Sequence, residues 1–518
     1  MASVPSAVVF KGFPSSGHSQ TLSSLTCTSK SFWVLGIPLL FKHIVISRYS
    51  QIRAFSSHLR QIEDELHCSP LVRTLTIELD QKWPASFDIG RYMGEVLRRS
   101  TNIESLTLRG EAASVLSYAS QSLLSFKKIP LYISLQNPAR VDIDIIDGDD
   151  VRSLQHLRCI KTLSLRAKHG ASSPPVATES IPVDLSRAIL QSECTLQTLT
   201  LDMPWLPAHL RPDTSSRDVF QAQNVHTVVL HGAEMNYTSL YRLLYAFPNL
   251  ERLSIKGSKL ASTAFENLYR VCQRPLRIVP YGLRAVSLDV RVLVGAGVLP
   301  GLRYVDLTVG TPISSTTPPH PIVYALRLTP VKGIALTLSQ LDSFTWLSEF
   351  ISGLDYLEFV DVRVILGGSL TWKRAMQSLL PRIDQVPRSI RYLSISIQPA
   401  NKAQVDDESL ALQVVRQWLM LTAGTIKVVE IYTNIPNGQR SWWTVDTREE
   451  CDLEGPGPVR WKTRTIVERV RREEALALKQ KYTEQFFCLE NPSDERSSNS
   501  TDAPDTHLTR ATNTRPSV

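Results

Sequence analysis

Four side chains spaced between residues 252 and 392 have the chemistry of protein-interface anchors: Arg252, Tyr304, Phe359 and Tyr392. Each stands beside aliphatic residues in a short hydrophobic phrase. There, a ring or guanidinium filling a partner's pocket contributes on the order of 2 kcal/mol. Nothing of comparable definition points to catalysis. His226 and His231 have no third ligand at metal spacing and read as loop or surface histidines. Asp142, Asp144, Asp147, Asp149 and Asp150 form an acidic run without the closing glutamate of an EF-hand. It reads as a solvated loop turning at Gly148. No phosphate-cradling glycine loop, nucleophile elbow or H-E-x-x-H occurs. The 7 cysteines, among them Cys159, Cys194 and Cys272, are scattered without a C-x-x-C pair and read as reduced, ordinary packing residues. The expectation is a protein that is not an enzyme, needs no metal or cofactor, and works by binding.

Composition narrows what it binds. The chain has 518 residues, 43% of them apolar, enough for several domains or one long repeat array. Its net charge of +8 is uneven. Residues 1–62 hold six Lys/Arg and no Asp or Glu, while 440–518 are nearly balanced. The middle is too dilute in charge for a nucleic-acid stripe, so no nucleic-acid partner is expected. The longest apolar run, Phe32 to Phe41, is far short of the roughly 18 residues a membrane span needs. No membrane partner is expected, and the compartment is read as cytoplasmic and/or nuclear. An acid-poor start also fits a transit peptide, but the first 20 residues contain no Arg.

The elements that must position the four anchors are announced by a repeat. An aliphatic residue, two variable ones, an aliphatic, one variable and an aliphatic recur in twelve copies beginning at residues 72, 103, 160, 196, 225, 250, 283, 302, 331, 357, 390 and 426. A degenerate thirteenth is expected at Leu131-Tyr-Ile133-Ser-Leu135, inside the long gap after 103. The last two aliphatics of each phrase lie two apart, which puts both on one face of a strand. The intervening stretch must return the chain, often as a helix. Tyr92, Met93, Val96 and Leu97 have helical spacing, as do Leu240, Leu243, Leu244 and Phe247, and Leu410, Val414, Trp418 and Leu421. Such a unit leaves one face unburied until a neighbour stacks on it.

The best copy is Leu250-Glu-Arg-Leu253-Ser-Ile255-Lys-Gly-Ser258-Lys-Leu260. It resembles a leucine-rich repeat of the ribonuclease-inhibitor-like kind, L-x-x-L-x-L-x-x-N-x-L with Ser at the Asn position. The resemblance implies an α/β solenoid with parallel strands inside and helices outside. Other copies place Glu111, Pro204, Ala233 or Gly310 at the Asn position, so the family's asparagine ladder is missing and an irregular solenoid is expected.

Ahead of the repeats, Leu22, Leu25, Ser29, Lys30, Phe32 and Trp33 lie on one short element. Pro38, Leu39, Leu40, Phe41 and His43 lie on a second, and Ile44 to Ile46 reads as a short strand. The pair is similar to the second half of a fungal F-box, with Gln51 to Leu66 as the helix that links it to the repeats. That resemblance implies a Skp-type adaptor bound through Leu22, Leu25, Phe32, Trp33, Pro38, Leu39, Leu40 and Phe41. The L-P-x-E-[IL] helix that opens an F-box has no counterpart in residues 1–20. The same segment therefore also reads as a cap for the open edge of the solenoid.

The expected organisation is 1–21 disordered or a truncated start, 22–66 an F-box-like segment with linker helix, and 67–440 the solenoid. A C-terminal cap and charged helix follow over 441–490, then a disordered tail over 491–518. Trp442-Trp443 and Gly455-Pro-Gly-Pro458 read as a turn-rich exit, and 461–487 as a helix. The F-box-and-repeats layout implies a substrate-recognition subunit of a Skp–cullin–F-box ubiquitin ligase, with an unidentified target protein held on the repeats near 250–395. The alternative is a repeat scaffold with no ligase link. A GTPase activator with a catalytic arginine on the same fold is a third reading, but no arginine is singled out for it.

Overall fold

The computed structural model describes residues 41–66, 72–79, 87–100, 102–110, 139–145, 160–167, 194–202, 221–232, 237–256, 282–289, 301–309, 331–338, 356–365, 389–398, 428–433, 440–452 and 460–484, with residues 29, 31, 112, 189, 323, 326–327 and 353–354. Every described phrase folds as a strand. β1 is His43–Ile46, β2 Thr74–Leu79, β3 Ser105–Gly110 and β4 Arg140–Ile145. β5 is Thr162–Ala167, β6 Thr198–Asp202, β7 Thr227–His231 and β8 Arg252–Lys256. β9 is Ala285–Asp289, β10 Tyr304–Val309, β11 Gly333–Leu338 and β12 Phe359–Ile365. β13 is Tyr392–Gln398, β14 Val428–Thr433, β15 Arg440–Asp452 and β16 Arg460–Val470. They form one 16-stranded sheet in simple sequence order. β1 to β14 pair in parallel, and β15 and β16 are added antiparallel.

Alternation explains which face is which. In β2, Leu75, Ile77 and Leu79 are buried while Thr74, Thr76 and Glu78 are half-exposed. The upstream aliphatic of each phrase, such as Val72, Leu196, Val225 or Leu357, is buried with them. Burying one such side chain contributes about 1.5–3 kcal/mol. Three per unit, packed against the neighbouring units, form one continuous core along the sheet.

Among the described residues, three helices lie on the core side of the sheet. α1 (Tyr49–Leu66) and α2 (Phe87–Arg99) lie over the first strands, and α3 (Tyr237–Ala246) returns the chain between β7 and β8. Ile52, Phe55 and Leu59 of α1, Met93, Val96 and Leu97 of α2, and Leu240, Leu243 and Leu244 of α3 all join the core. α1 starts where Gln51 Oε1 accepts from the Ser47 and Arg48 N–H groups, at 2.9 and 3.1 Å, which satisfies donors the helix leaves unpaired. The expected helix through Leu410, Val414, Trp418 and Leu421 lies outside the described residues.

Backbone bonds stitch the units together at the strand entries. The Lys161 carbonyl accepts from both Gln197 N–H (2.8 Å) and Thr198 N–H (3.0 Å). His226, Arg284 and Arg303 repeat the pattern with the residues that open β8, β10 and β11. Among the described residues this backbone ladder runs from Lys42 to Val428, and an asparagine side chain adds to it, Asn249 Nδ2 donating to the Gln223 carbonyl at 2.8 Å.

Several expectations are corrected. The strand between β3 and β5 is Arg140–Ile145, not 131–135, which lies outside the described residues. Asp142 and Asp144 therefore stand on β4 rather than in a solvated loop. Val141, Ile143 and Ile145 are buried, and alternation turns the two acids away from the core. Asp147, Asp149 and Asp150 lie outside the described residues. The sheet begins at His43, ahead of the expected boundary at 67, because β1 pairs with β2 in the same parallel register as later strands. It continues past 440, because the supposed exit is the long hairpin β15–β16. Residues 460–470 are a strand, not the first half of a helix: Thr463, Thr465, Ile466 and Val467 are β-branched and favour extended backbone. The helix, α4 (Arg472–Glu484), starts only there, with Glu473 and Glu474 in its first turn.

Candidate protein-binding surface

Opposite the core, the sheet turns its variable positions outward, and parallel pairing lines them up in rows. One row runs Thr198, Thr227, Arg252, Ala285, Tyr304, Gly333, Phe359, Tyr392 and Val428. All four anchors proposed from sequence stand in this row. The next row, two residues on, includes Ser287, Asp306, Ala335, Asp361, Ser394 and Glu430. The N-terminal half of the face is mainly Ser and Thr, which suit strands without any partner. The C-terminal half is aromatic and acidic.

The aromatic rings touch. Phe359 and Tyr392 stack with centroids 4.8 Å apart and planes 16° apart. Tyr304 approaches Phe359 at 6.3 Å across β11, where Gly333 presents no side chain to separate them. Offset pairs of this kind contribute about 0.5–1.5 kcal/mol beyond area burial. Burial, then the carboxylates of Asp306 and Asp361, push the Tyr304 phenol above its usual range. It faces the row as a neutral hydroxyl. Ser287 Oγ donates to Asp306 at 2.9 Å.

The expected exposure of the anchors is corrected here. Arg252 is exposed and Tyr304 half-buried, but Phe359 and Tyr392 have 0% of their surface accessible. The cause is α4, which lies on this face. Ala475, Leu478, Lys479 and Tyr482 recur at i, i+3, i+4 and i+7, one side of a helix. Leu478 and Tyr482 pack with Phe359, Tyr392, Val428 and Tyr304 in a second apolar cluster, separate from the main core. The Tyr482 and Tyr392 rings are 5.6 Å apart.

Lys479 completes the contact. Its ammonium donates to Glu430 Oε2 at 3.1 Å and lies 3.5 Å from Asp361 Oδ2. Both acids are buried, with 2% and 3% of their surface accessible. Tyr392 OH donates to the same Glu430 oxygen at 2.8 Å, and Arg363 donates to Asp361 at 3.1 Å. Each carboxylate thus has a cation and at least one further partner, as a buried charge requires. Glu430 and Lys479 are residues of this surface that sequence reasoning missed. The signal was present: Asp306, Asp361 and Glu430 occupy outward positions where most other strands carry Ser or Thr.

The other proposed binding residues fare differently. Leu22, Leu25, Phe32, Trp33, Pro38, Leu39 and Leu40 lie outside the described residues. Phe41 is half-buried and stacks on Phe55 of α1, with centroids 6.0 Å apart. His226 is half-exposed, with Nδ1 3.2 Å from the Asn249 carbonyl. Among the described residues no group of three His, Cys, Asp or Glu is placed to hold a metal. Among them, too, no helix is long and apolar enough to cross a membrane. Scanned against protein-family models the chain matches none, and no curated protein matches it.

Proposed function

We propose that the protein is a leucine-rich-repeat substrate-recognition subunit of a Skp–cullin–F-box ubiquitin ligase. The F-box-like residues around Leu22–Phe41 would dock a Skp-type adaptor while the repeats hold a target protein. The observation that carries the binding half of this reading is the aromatic and acidic surface over β10–β14, which already holds a helix. The ligase half rests on the F-box-like sequence immediately ahead of the first repeat. A plain repeat scaffold is the second reading. One observation favours it: Phe41 packs on Phe55 and His43–Ile46 is the first strand of the sheet, so this end of the segment closes the solenoid.

Co-purification separates the two. Tagged full-length chain is expected to recover a Skp-type adaptor, and a cullin with it, from cells whose other F-box proteins recover both. Charging the segment with Leu25→Asp and Leu40→Asp is expected to abolish recovery while leaving the fold intact by circular dichroism. A wild-type chain that brings down neither subunit eliminates the ligase reading and leaves the scaffold.

A further inference from the structure

The way α4 sits on the sheet bears on what else can sit there. The sheet edge at β14 is already covered by the β15–β16 hairpin, so α4 is not needed to close it. Among its described side chains, α4 touches the open face through Leu478, Lys479 and Tyr482. Glu473, Glu474, Leu476, Gln480 and Lys481 remain exposed, Leu476 with 40% of its surface accessible. A helix of 13 residues is marginal alone in water, so its order depends on this contact. The surface beneath is specific in a way a mere support is not: two buried acids converge on one ammonium beside stacked rings. If α4 leaves, Asp361 keeps Arg363, Glu430 keeps the Tyr392 hydroxyl, and both regain water. The vacated cradle would therefore be stable enough to receive another occupant.

We infer that the cradle over β10–β14 is a binding site for a protein helix bearing an apolar residue, a lysine and an aromatic residue at i, i+1 and i+4, and that Leu478, Lys479 and Tyr482 of α4 occupy it as an intramolecular competitor. This deepens the protein-binding reading above by naming the partner's recognition chemistry and its regulation. It rests on the repeats alone, so loss of adaptor recovery leaves it standing, and its own failure leaves adaptor docking untouched. The partner is basic and amphipathic because the cradle is acidic and aromatic. A tethered helix acts at an effective concentration of about 1 mM, so against a free peptide of ~10 μM affinity it suppresses binding about a hundred-fold.

The test uses the full chain and a fluorescein-labelled peptide of residues 471–485, read by anisotropy. The Lys479→Glu, Tyr482→Ala chain has a released helix and is expected to bind the peptide about a hundred-fold more tightly than the wild-type chain. Changing the peptide's own lysine to glutamate is expected to remove that binding. Equal affinity for wild-type and released chains, or no binding to a folded released chain, overturns the inference. Should the released chain fail to fold, hydrogen exchange of residues 472–484 in the wild-type chain decides. Excess unlabelled peptide is expected to accelerate exchange there, and unchanged exchange overturns the inference.

Discussion

Replacing Tyr392 with alanine is expected to destabilise the C-terminal strands by about 3–5 kcal/mol, the usual range for deleting a fully buried aromatic ring. The ring lies between Phe359, stacked on it at 4.8 Å, and Tyr482, tilted against it at 5.6 Å, and its hydroxyl is one of Glu430's donors. Its removal opens a cavity, loosens α4 and leaves a buried carboxylate short of a partner. Tyr392→Phe keeps the ring and loses only the donor, which costs about 1–3 kcal/mol. Urea denaturation of the two variants, followed by circular dichroism, orders them. Because units in a repeat array contact mainly their neighbours, the loss falls on the units nearest β13 rather than uniformly along the chain. An alanine variant as stable as wild type would mean that the ring is not packed as described.

Phe55→Ala is the second large expectation, again about 3–5 kcal/mol, at the opposite end of the sheet. Phe55 is completely buried on α1 and supports both Phe41 and the strand His43–Ile46. Without it, the first unit cannot hold its aliphatic face against β2. The expected result is a low-temperature transition of the N-terminal unit ahead of the main unfolding, seen as a separate step in a calorimetric scan. If that step appears and adaptor recovery is lost with it, the cap and the adaptor site are one structure. A single unshifted transition would contradict the role given to α1 as the closing element.

The repeats were legible in the sequence because a strand with one buried face leaves a period-two signal, and Leu, Ile and Val carry it in every phrase. Where two segments carry the same signal, sequence alone did not choose between them. Leu131-Tyr-Ile133-Ser-Leu135 alternates as well as Val141-Asp-Ile143-Asp-Ile145, and acids in the second made it look like a loop. Pairing with both β3 and β5 selects the second. The misreading of 460–470 has a different origin: alternating Lys, Arg and Glu give helix-like charge spacing, and the strand shows only in its antiparallel pairing with β15, which was itself read as a turn-rich exit. At the candidate surface, the row that holds the four proposed anchors followed from alternation. Their burial did not, because it depends on Lys479 and Tyr482, some 90 residues beyond Tyr392 in sequence. Lys479 is an ordinary surface residue until Glu430 and Asp361 are brought beneath it.

Whether the open face of the sheet holds α4 is measured directly by hydrogen exchange of residues 472–484 in the full chain. Amides in this segment are expected to exchange at least roughly a hundred-fold more slowly than in an unstructured chain, because docking lends order to an otherwise marginal helix. Lys479→Glu, which sets a third carboxylate against Asp361 and Glu430, is expected to abolish that protection while the amides of β2–β8 stay protected. Exchange at the unstructured rate in the wild-type chain, or protection that survives Lys479→Glu, would contradict that docking.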